Sequence, residues 1–187
     1  PAVDERYVRP QAAWEKMKAA QSSRQTVYLY GTTGTGKTTF VTEFLGRKRY
    51  HYISLSDMRI SEIMELVPEQ SETQTILVID DLQLLEEQGE RSACGQIIEE
   101  LSGRRDVWLI LISRAPMPKW LKSVFYRYIF VTIAEEELCL SEQEQEQYLE
   151  KWELSPTEAA RDKIWELGHG NPLCLRIVAL RLKDIPE

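Results

Sequence analysis

An eight-residue glycine-rich stretch, Gly31–Thr38 (GTTGTGKT), limits the possible folds of this chain more strongly than any other part of its sequence. It lies between an apolar β-rich run, Thr26–Tyr30, and a helical pattern that begins at Lys37. Glycines in such a stretch let successive backbone N–H groups point to one centre, which forms a nest for anions. The N-terminus of the following helix adds about half a positive charge. We therefore expect a strand, a phosphate-binding loop and a helix, in this order.

The side chains of this stretch complete a site for the phosphates of a nucleotide. The ammonium group of Lys37 can reach the β- and γ-phosphates, and the hydroxyl of Thr38 can bind Mg²⁺. With typical residue frequencies, the fixed positions of this motif match by chance in fewer than about 1% of chains of this length. The predicted nucleotide-binding residues of the stretch are Gly31, Thr32, Thr33, Gly34, Thr35, Gly36, Lys37, Thr38 and Thr39.

Short β-rich runs alternate with helical segments up to Ile133. The predicted strands are Thr26–Tyr30, Tyr50–Leu55, Thr75–Asp80, Val107–Ile112 and Tyr128–Ile133. The predicted helices are Pro10–Gln21, Lys37–Leu45, Ile60–Val67, Ser92–Leu101 and Pro118–Ser123. The third and fourth strands are almost continuously apolar, which is typical of a parallel sheet covered by helices on both faces. We predict an α/β fold, a P-loop NTPase with a five-stranded, mostly parallel sheet flanked by helices.

The pattern changes after Ile133, where the strand signals stop. Three helices are predicted there, near residues 142–152, 156–167 and 172–183. We therefore divide the chain into an α/β nucleotide-binding core, residues 1–134, and a small C-terminal helical lid subdomain, residues 135–187. Since the sequence begins at Pro1 and ends in a helix-like run, we expect it to be a fragment of a longer protein.

The start of each C-terminal helix carries a capping signal. Ser141–Glu144 and Ser155–Glu158 both have the spacing of a capping box. Pro156 adds the proline that is favoured in a first helical turn. Asn171-Pro172 repeats the arrangement of a cap followed by a proline. These signals predict that the second of the three helices begins at Pro156.

An acidic pair, Asp80-Asp81, ends the third predicted strand. In P-loop NTPases an aspartate at this place holds Mg²⁺, and Asp80 is the candidate for that role through a bound water. A second carboxylate beside it can orient or deprotonate the water that attacks the γ-phosphate, which is the role expected of Asp81. The alternative left open is that Asp81 caps the helical run that follows it.

The fourth predicted strand is followed by Ser113-Arg114. Ligands of open α/β sheets bind at the carboxyl ends of the strands, so we expect Arg114 to face the phosphates. A guanidinium group there can sense or stabilise charge on the γ-phosphate. The candidate catalytic residues are therefore Asp81, Lys37 and Arg114, and the alternative for Arg114 is a surface side chain in an exposed loop.

Composition and charge restrict the class of protein further. The longest strongly apolar run, Val107–Ile112, is far shorter than the ~20 residues of a membrane-spanning helix. The net charge is −7, but residues 1–60 carry ten Lys and Arg against five Asp and Glu. An acidic remainder argues against direct nucleic-acid binding, which depends on basic side chains. Three cysteines without metal-ligand spacing indicate reduced thiols in a cytoplasmic protein.

ATP is favoured over GTP because the chain lacks the Asn-Lys-x-Asp string that reads guanine. Five pieces in order then resemble the STAND class of signalling ATPases, most closely the nucleotide-binding domain of MalT-like (LuxR family) transcriptional regulators. These pieces are Val8–Pro10, Gly31–Thr38, Ile76–Leu85, Ile112–Pro116 and Gly170–Leu173. The fourth departs from the family's Ser-Arg-x-x-Pro pattern, because its proline comes one residue early.

The resemblance implies a switch with ATP or ADP and Mg²⁺ as cofactors. It implies that Arg9 and Pro10 lie near the adenine and that Pro172 packs on it, although Pro172 also suits a first helical turn. It further implies slow hydrolysis, nucleotide-dependent homo-oligomers, and winged-helix, sensor and DNA-binding regions downstream. Three other classes stay open: an AAA+-like remodelling ATPase with an arginine finger on a neighbouring subunit, a small-molecule kinase, and a scaffold that binds nucleotide without hydrolysing it.

Overall fold

The computed structural model describes residues 4–67, 69, 72–85 and 91–184. Five strands lie within these residues: β1 (Val27–Tyr30), β2 (His51–Ser54), β3 (Thr75–Asp80), β4 (Val107–Ser113) and β5 (Val131–Ala134). Eight α-helices lie within them: α1 (Gln11–Ser23), α2 (Lys37–Leu45), α3 (Ile60–Leu66), α4 (Arg91–Gly103), α5 (Lys122–Tyr128), α6 (Glu142–Lys151), α7 (Glu158–Gly168) and α8 (Pro172–Lys183). Short 3₁₀ turns occur at Leu82–Leu84, Lys119–Leu121 and Glu135–Leu138.

The five strands form one sheet in the order β2-β3-β4-β1-β5, and all four neighbouring pairs are parallel. The strand before the glycine-rich loop, β1, therefore lies between β4 and β5. Because every strand runs the same way, the loops that follow the strands gather along one edge of the sheet. The α/β class and the five-stranded parallel sheet predicted from the sequence are confirmed.

Each face of the sheet is covered by its own layer of helices. Tyr28 of β1 is buried with side chains of α3, α4 and α5 on one face. Its neighbours Val27 and Leu29 are buried with α1 and α2 on the other face. All seven residues of β4 are buried, as expected for a strand with helices on both sides.

The three C-terminal helices share a third cluster of buried side chains, which includes Leu149, Ile164 and Leu175. Val8 also belongs to this cluster, although it precedes α1. We call residues Asp4–Pro10 the N-terminal segment. Lys151 of α6 donates a hydrogen bond to the carbonyl oxygen of Tyr7 in this segment, at 2.9 Å. The division of the chain at residue 134 stays a prediction, and residues 1–3 and 185–187 lie outside the described residues.

Two of the predicted elements near β5 were wrong in their bounds. The predicted helix Pro118–Ser123 is a 3₁₀ turn followed by α5, which continues to Tyr128. The predicted strand Tyr128–Ile133 therefore starts only at Val131. Packing explains the difference, since Phe125 in the middle of α5 meets Phe130 with ring centroids 5.9 Å apart. This contact favours a helical turn over the β-propensity of the aromatic run.

The predicted start of α7 at Pro156 was also wrong. The capping residue is Thr157, whose hydroxyl accepts a hydrogen bond from the backbone N–H of Ala160 at 3.2 Å. Ser155 and Pro156 therefore lie before the helix. The capping box at Ser141 is present as predicted, and Asn171 caps α8 with Pro172 in the first turn.

None of the helices among the described residues has the length and apolar character that a membrane span requires.

Candidate functional site

The phosphate loop joins the end of β1 to the start of α2. Gly34 and Gly36 both have positive φ angles, of 86° and 81°, which turn the loop into the helix without strain from a Cβ atom. The side chain of Lys37 is buried and folds back over the loop, donating to the carbonyl oxygens of Gly31 and Thr32 at 2.5 and 2.8 Å. Burial lowers the pKa of Lys37, and Asp80 acts in the opposite direction.

Asp80 at the end of β3 lies against the start of α2. The hydroxyl of Thr38 donates to its Oδ2 atom at 3.4 Å. Tyr52 of β2 also donates its hydroxyl to Oδ2 of Asp80. Burial, followed by this hydrogen bond, raises the pKa of Tyr52 well above its usual value. The two side chains predicted to hold magnesium are thus brought together, with a tyrosine hydroxyl beside them that the sequence analysis missed.

Asp81 has a left-handed backbone, with φ 60° and ψ 36°, directly before the 3₁₀ turn. Its carboxylate accepts from the hydroxyl of Ser54 at 2.5 Å and from the amide of Gln83 at 3.2 Å. Its side chain makes no capping hydrogen bond to the turn that follows. The carboxylate is therefore oriented by β2 and Gln83. Non-glycine residues in this conformation cluster at functional sites.

Arg114 follows β4 and its side chain is exposed. Its backbone N–H donates to the amide oxygen of Gln83 at 3.0 Å, which links the loop after β4 to the loop after β3. The positive charge of Arg114 is one of the influences that lower the pKa of Lys37, after burial. Arg114 therefore adds positive charge on the side of the sheet where the phosphate loop lies.

Glu135, the first residue after β5, contacts the phosphate loop and was missed by the sequence analysis. Its Oε2 atom accepts two hydrogen bonds from Thr32, one from the backbone N–H and one from the hydroxyl, both at 2.9 Å. These bonds, the backbone one first, hold the pKa of Glu135 below its usual value. A Cβ atom on Gly31 would lie 2.5 Å from the Cβ of Glu135, so this approach requires a glycine.

A cavity of about 460 Å³ opens beside the loop, within the range of small-molecule sites. The loop, the N-terminal segment and the helices α6 and α8 all contribute to its walls. Among the predicted binding residues, its lining includes Pro10, Gly34, Thr35, Gly36, Thr39 and Pro172. Arg9 lies elsewhere, with its guanidinium carbon 4.6 Å from the ring centre of Trp14, and it lines a second cavity of about 850 Å³.

Arg176 of α8 lines the 460 Å³ cavity together with Pro172 and Leu173. The sequence contained a signal for it, because Arg176 lies four residues after Pro172 and such residues share one face of a helix. The helix approaches the loop closely, since a Cβ atom on Gly34 would lie 2.7 Å from a methyl carbon of Leu173. Arg176 thereby adds a cation to the cavity from the C-terminal helices.

These residues fit a nucleotide with its magnesium ion. Thr38 and Asp80 supply the hydroxyl and carboxylate oxygens that Mg²⁺ prefers. Lys37, Arg114 and Arg176 supply positive charge for phosphates, and the cavity supplies apolar surface from Pro10 and Pro172 for a base. Asp81 adds a second carboxylate directly after β3. The site can therefore bind a nucleoside polyphosphate and position a water for its hydrolysis.

Comparison with known proteins identifies a family. The profile of the AAA family, described as ATPases associated with various cellular activities, matches residues 27–132. This range begins at β1 and covers the phosphate loop, both acids and Arg114. No curated protein matches the sequence closely enough to count as a relative.

Solved structures with the same fold include proteins that act on DNA. A replication initiator, DnaA bound to AMPPCP and single-stranded DNA, superposes with a TM-score of 0.65 at 18% identity, over 95% of this chain and 63% of that one. The RuvB Holliday junction branch migration motor of Thermotoga maritima gives 0.62 at 16% identity, over 94% and 61%. The Aeropyrum pernix ORC1 protein in complex with DNA gives 0.62 at 14% identity, over 99% and 63%. The chain thus spans less than two thirds of the length of these proteins.

Proposed function

Because the chain belongs to the AAA family of ATPases, we propose that it is a nucleotide-controlled switch domain that binds ATP or ADP with Mg²⁺ and hydrolyses ATP slowly. The observation that carries the proposal is the 460 Å³ cavity, whose walls come from the phosphate loop and from the C-terminal helices together. A ligand in this cavity contacts both, so its phosphates can set how the helices sit on the loop. The resemblance to MalT-like regulators extends the proposal to control of transcription through nucleotide-dependent oligomers.

In this proposal each residue has a separate task. The backbone of Gly34–Thr38 and the ammonium group of Lys37 bind the β- and γ-phosphates, and Arg114 responds to the γ-phosphate. Thr38 and Asp80 hold magnesium, which when bound neutralises phosphate charge. Asp81 accepts a hydrogen bond from the attacking water and orients it. Pro10 and Pro172 pack against the base.

A remodelling motor is the second candidate, and one observation favours it. The fold is similar to that of RuvB, whose structure is described as a branch migration motor. A motor would turn over ATP quickly and would respond to its substrate. A switch would retain its nucleotide and turn over far more slowly than the ~10 s⁻¹ of a typical enzyme.

The experiment that separates these functions starts from the purified protein. It is denatured, and any released nucleotide is identified by chromatography and mass spectrometry. Stoichiometric ADP or ATP with slow phosphate release supports the switch, whereas an empty protein with fast turnover supports the motor. If the protein is empty and calorimetry with Mg-ATP gives no heat of binding, the nucleotide site itself is wrong.

Asp81→Asn tests the hydrolytic part of the proposal. Asparagine tolerates the left-handed backbone of Asp81, so the loop should keep its conformation. We expect phosphate release to fall at least tenfold while the affinity for ADP, measured by calorimetry, changes by less than about threefold. Unchanged phosphate release would remove Asp81 as the catalytic carboxylate and would favour a different base.

A further inference from the structure

The hydroxyl of Tyr52 occupies a place that the proposed function needs for magnesium. Tyr52 lies on β2 opposite Val78 of β3, two residues before Asp80, and its hydroxyl donates to Oδ2 of that carboxylate. The hydroxyl of Thr38 donates to the same oxygen at 3.4 Å. The three oxygens therefore converge on one point between β3 and the start of α2.

The hydrogen bonds that Asp80 already accepts limit how its carboxylate can bind an ion. Its Oδ1 atom accepts the backbone N–H of Asp81 at 2.6 Å, so that oxygen is turned towards the loop after β3. An ion shared by Thr38 and Asp80, directly or through water, would use Oδ2, the carboxylate oxygen that accepts from Thr38. A carboxylate oxygen has about two acceptor positions, and on Oδ2 both face hydroxyl donors.

We propose that the Tyr52 hydroxyl competes with Mg²⁺ for Asp80, so that binding of Mg-nucleotide requires Tyr52 to give up this hydrogen bond. The inference rests on the proposed nucleotide and magnesium site. Tyr52 is then a positioning residue that weakens the contribution of magnesium to nucleotide affinity. Its side chain is 39% exposed, so the phenol has room to turn towards solvent when the ion takes its place. The position of the Tyr52 side chain thereby depends on whether the ion is bound.

The first test compares magnesium dependence in Tyr52→Phe and in the unmodified protein. Calorimetry gives the affinity for AMPPCP with Mg²⁺ and with EDTA, and the ratio of the two values measures what the ion contributes. A hydrogen bond to a charged group is worth enough to change an equilibrium about tenfold, so Tyr52→Phe should raise this ratio about tenfold. Tyr126→Phe, the same change at an exposed site on α5, should leave the ratio unchanged.

A second test needs no nucleotide. Urea unfolding of Tyr52→Phe, Asp80→Asn and the double variant forms a double-mutant cycle, in which coupled losses support the contact and additive losses overturn it.

If the ratio of AMPPCP affinities with Mg²⁺ and with EDTA falls in Tyr52→Phe, the phenol supports the ion's ligand and does not compete with the ion, so the inference is wrong. An unchanged ratio, with nucleotide still bound, overturns the inference alone. A protein that binds AMPPCP under neither condition overturns the proposed function and this inference together.

Discussion

Lys37 combines two properties that a free lysine does not have. Its ammonium group is buried, and burial lowers its pKa, so the charged form is held by the carbonyl oxygens of Gly31 and Thr32 and by the negative charge of Asp80. A phosphate oxygen is a better partner for this cation than a neutral carbonyl, because the hydrogen bond is then charged on both sides. The affinity for nucleotide should therefore depend strongly on this one side chain.

Lys37→Ala is expected to weaken ADP binding at least tenfold, since a lost charge-assisted contact is worth about 1.5–3 kcal/mol. Calorimetry measures the affinity directly. Lys163→Ala removes an exposed lysine of α7 and serves as the matched control, which should bind as the unmodified protein does. Equal affinities in both variants would contradict the assignment of the phosphate loop.

The residues of the site differ in how far the sequence could predict them. Lys37, Thr38 and Asp80 belong to local patterns, a loop motif and an acidic strand end, and each pattern places its residue without knowledge of the sheet order. Tyr52 and Glu135 act across strands, on Asp80 and on Thr32. Their roles depend on β2 lying next to β3 and β5 next to β1, which no local pattern contains.

At the scale of elements, two close contacts help to position the C-terminal helices. One is the turn after β5, where Glu135 meets the phosphate loop. The other is the contact of Gly170, between α7 and α8, with Leu140, whose N–H donates to the carbonyl oxygen of Gly170 at 2.8 Å. The cap at Asn171 was predictable because capping is local, whereas this contact spans thirty residues and was not.

Gly170→Ala should destabilise the protein more than another glycine substitution at positive φ. The new Cβ atom would lie 1.8 Å from the carbonyl oxygen of Leu140, and φ is +77°. Gly46→Ala is the control, because φ is +55° there but the nearest atom lies 3.8 Å away. Urea unfolding should give a loss of about 1–3 kcal/mol for Gly46→Ala, where φ 55° with ψ −120° lies outside the left-handed helical region, and at least a further 1 kcal/mol for Gly170→Ala. Equal losses of stability would mean that Gly170 and Leu140 can move apart without a further cost in the free energy of unfolding.

Glu135→Gln should change how stability depends on pH. The pKa of Glu135 is lower in the folded protein than in the unfolded chain, so ionisation stabilises the fold above the unfolded value, ~4.3. This stabilisation is lost as the pH falls through the folded pKa. Glutamine keeps an acceptor for Thr32, so at pH 7 the loss should be at most about 1 kcal/mol for this partly exposed group.

Urea unfolding from pH 7 down to pH 3 measures the difference between Glu135→Gln and the unmodified protein. The two curves should approach each other as the pH falls below ~4.3 and through the lowered pKa of Glu135. Glu136→Gln, at the exposed neighbouring position, is the control and should follow the unmodified protein throughout. A gap that persists undiminished at pH 3 would show that the charge of Glu135 is not what holds Thr32.

At the scale of the whole molecule, three distant parts of the chain enclose one cavity. The N-terminal segment packs against the C-terminal helices, since Val8 lies in their buried cluster. Lys151 of α6 also donates a hydrogen bond to the carbonyl oxygen of Tyr7. The fold class followed from the alternation of strands and helices, and the family resemblance implied that Pro10 and Pro172 lie at one base, but no sequence pattern predicted that Val8 packs among the last helices. Only the folded chain brings Pro10, Thr39 and Pro172 to one surface.

If a nucleotide contacts the phosphate loop, the N-terminal segment and α8 together, its affinity should depend on Arg176, the cation that α8 contributes. Arg176→Ala is expected to weaken binding of AMPPCP about tenfold, because Arg176 lines the cavity and a charge-assisted contact to phosphate is lost.

Hydrogen exchange gives the second measurement: AMPPCP should protect the first turn of α8 and the N-terminal segment in the unmodified protein, and the protection of α8 should disappear in Arg176→Ala. Arg181→Ala, an exposed arginine on the same helix, should retain both the affinity and the protection. Protection confined to the phosphate loop in the unmodified protein would mean that the nucleotide does not reach the C-terminal helices, and the switch would lose the contact through which it acts.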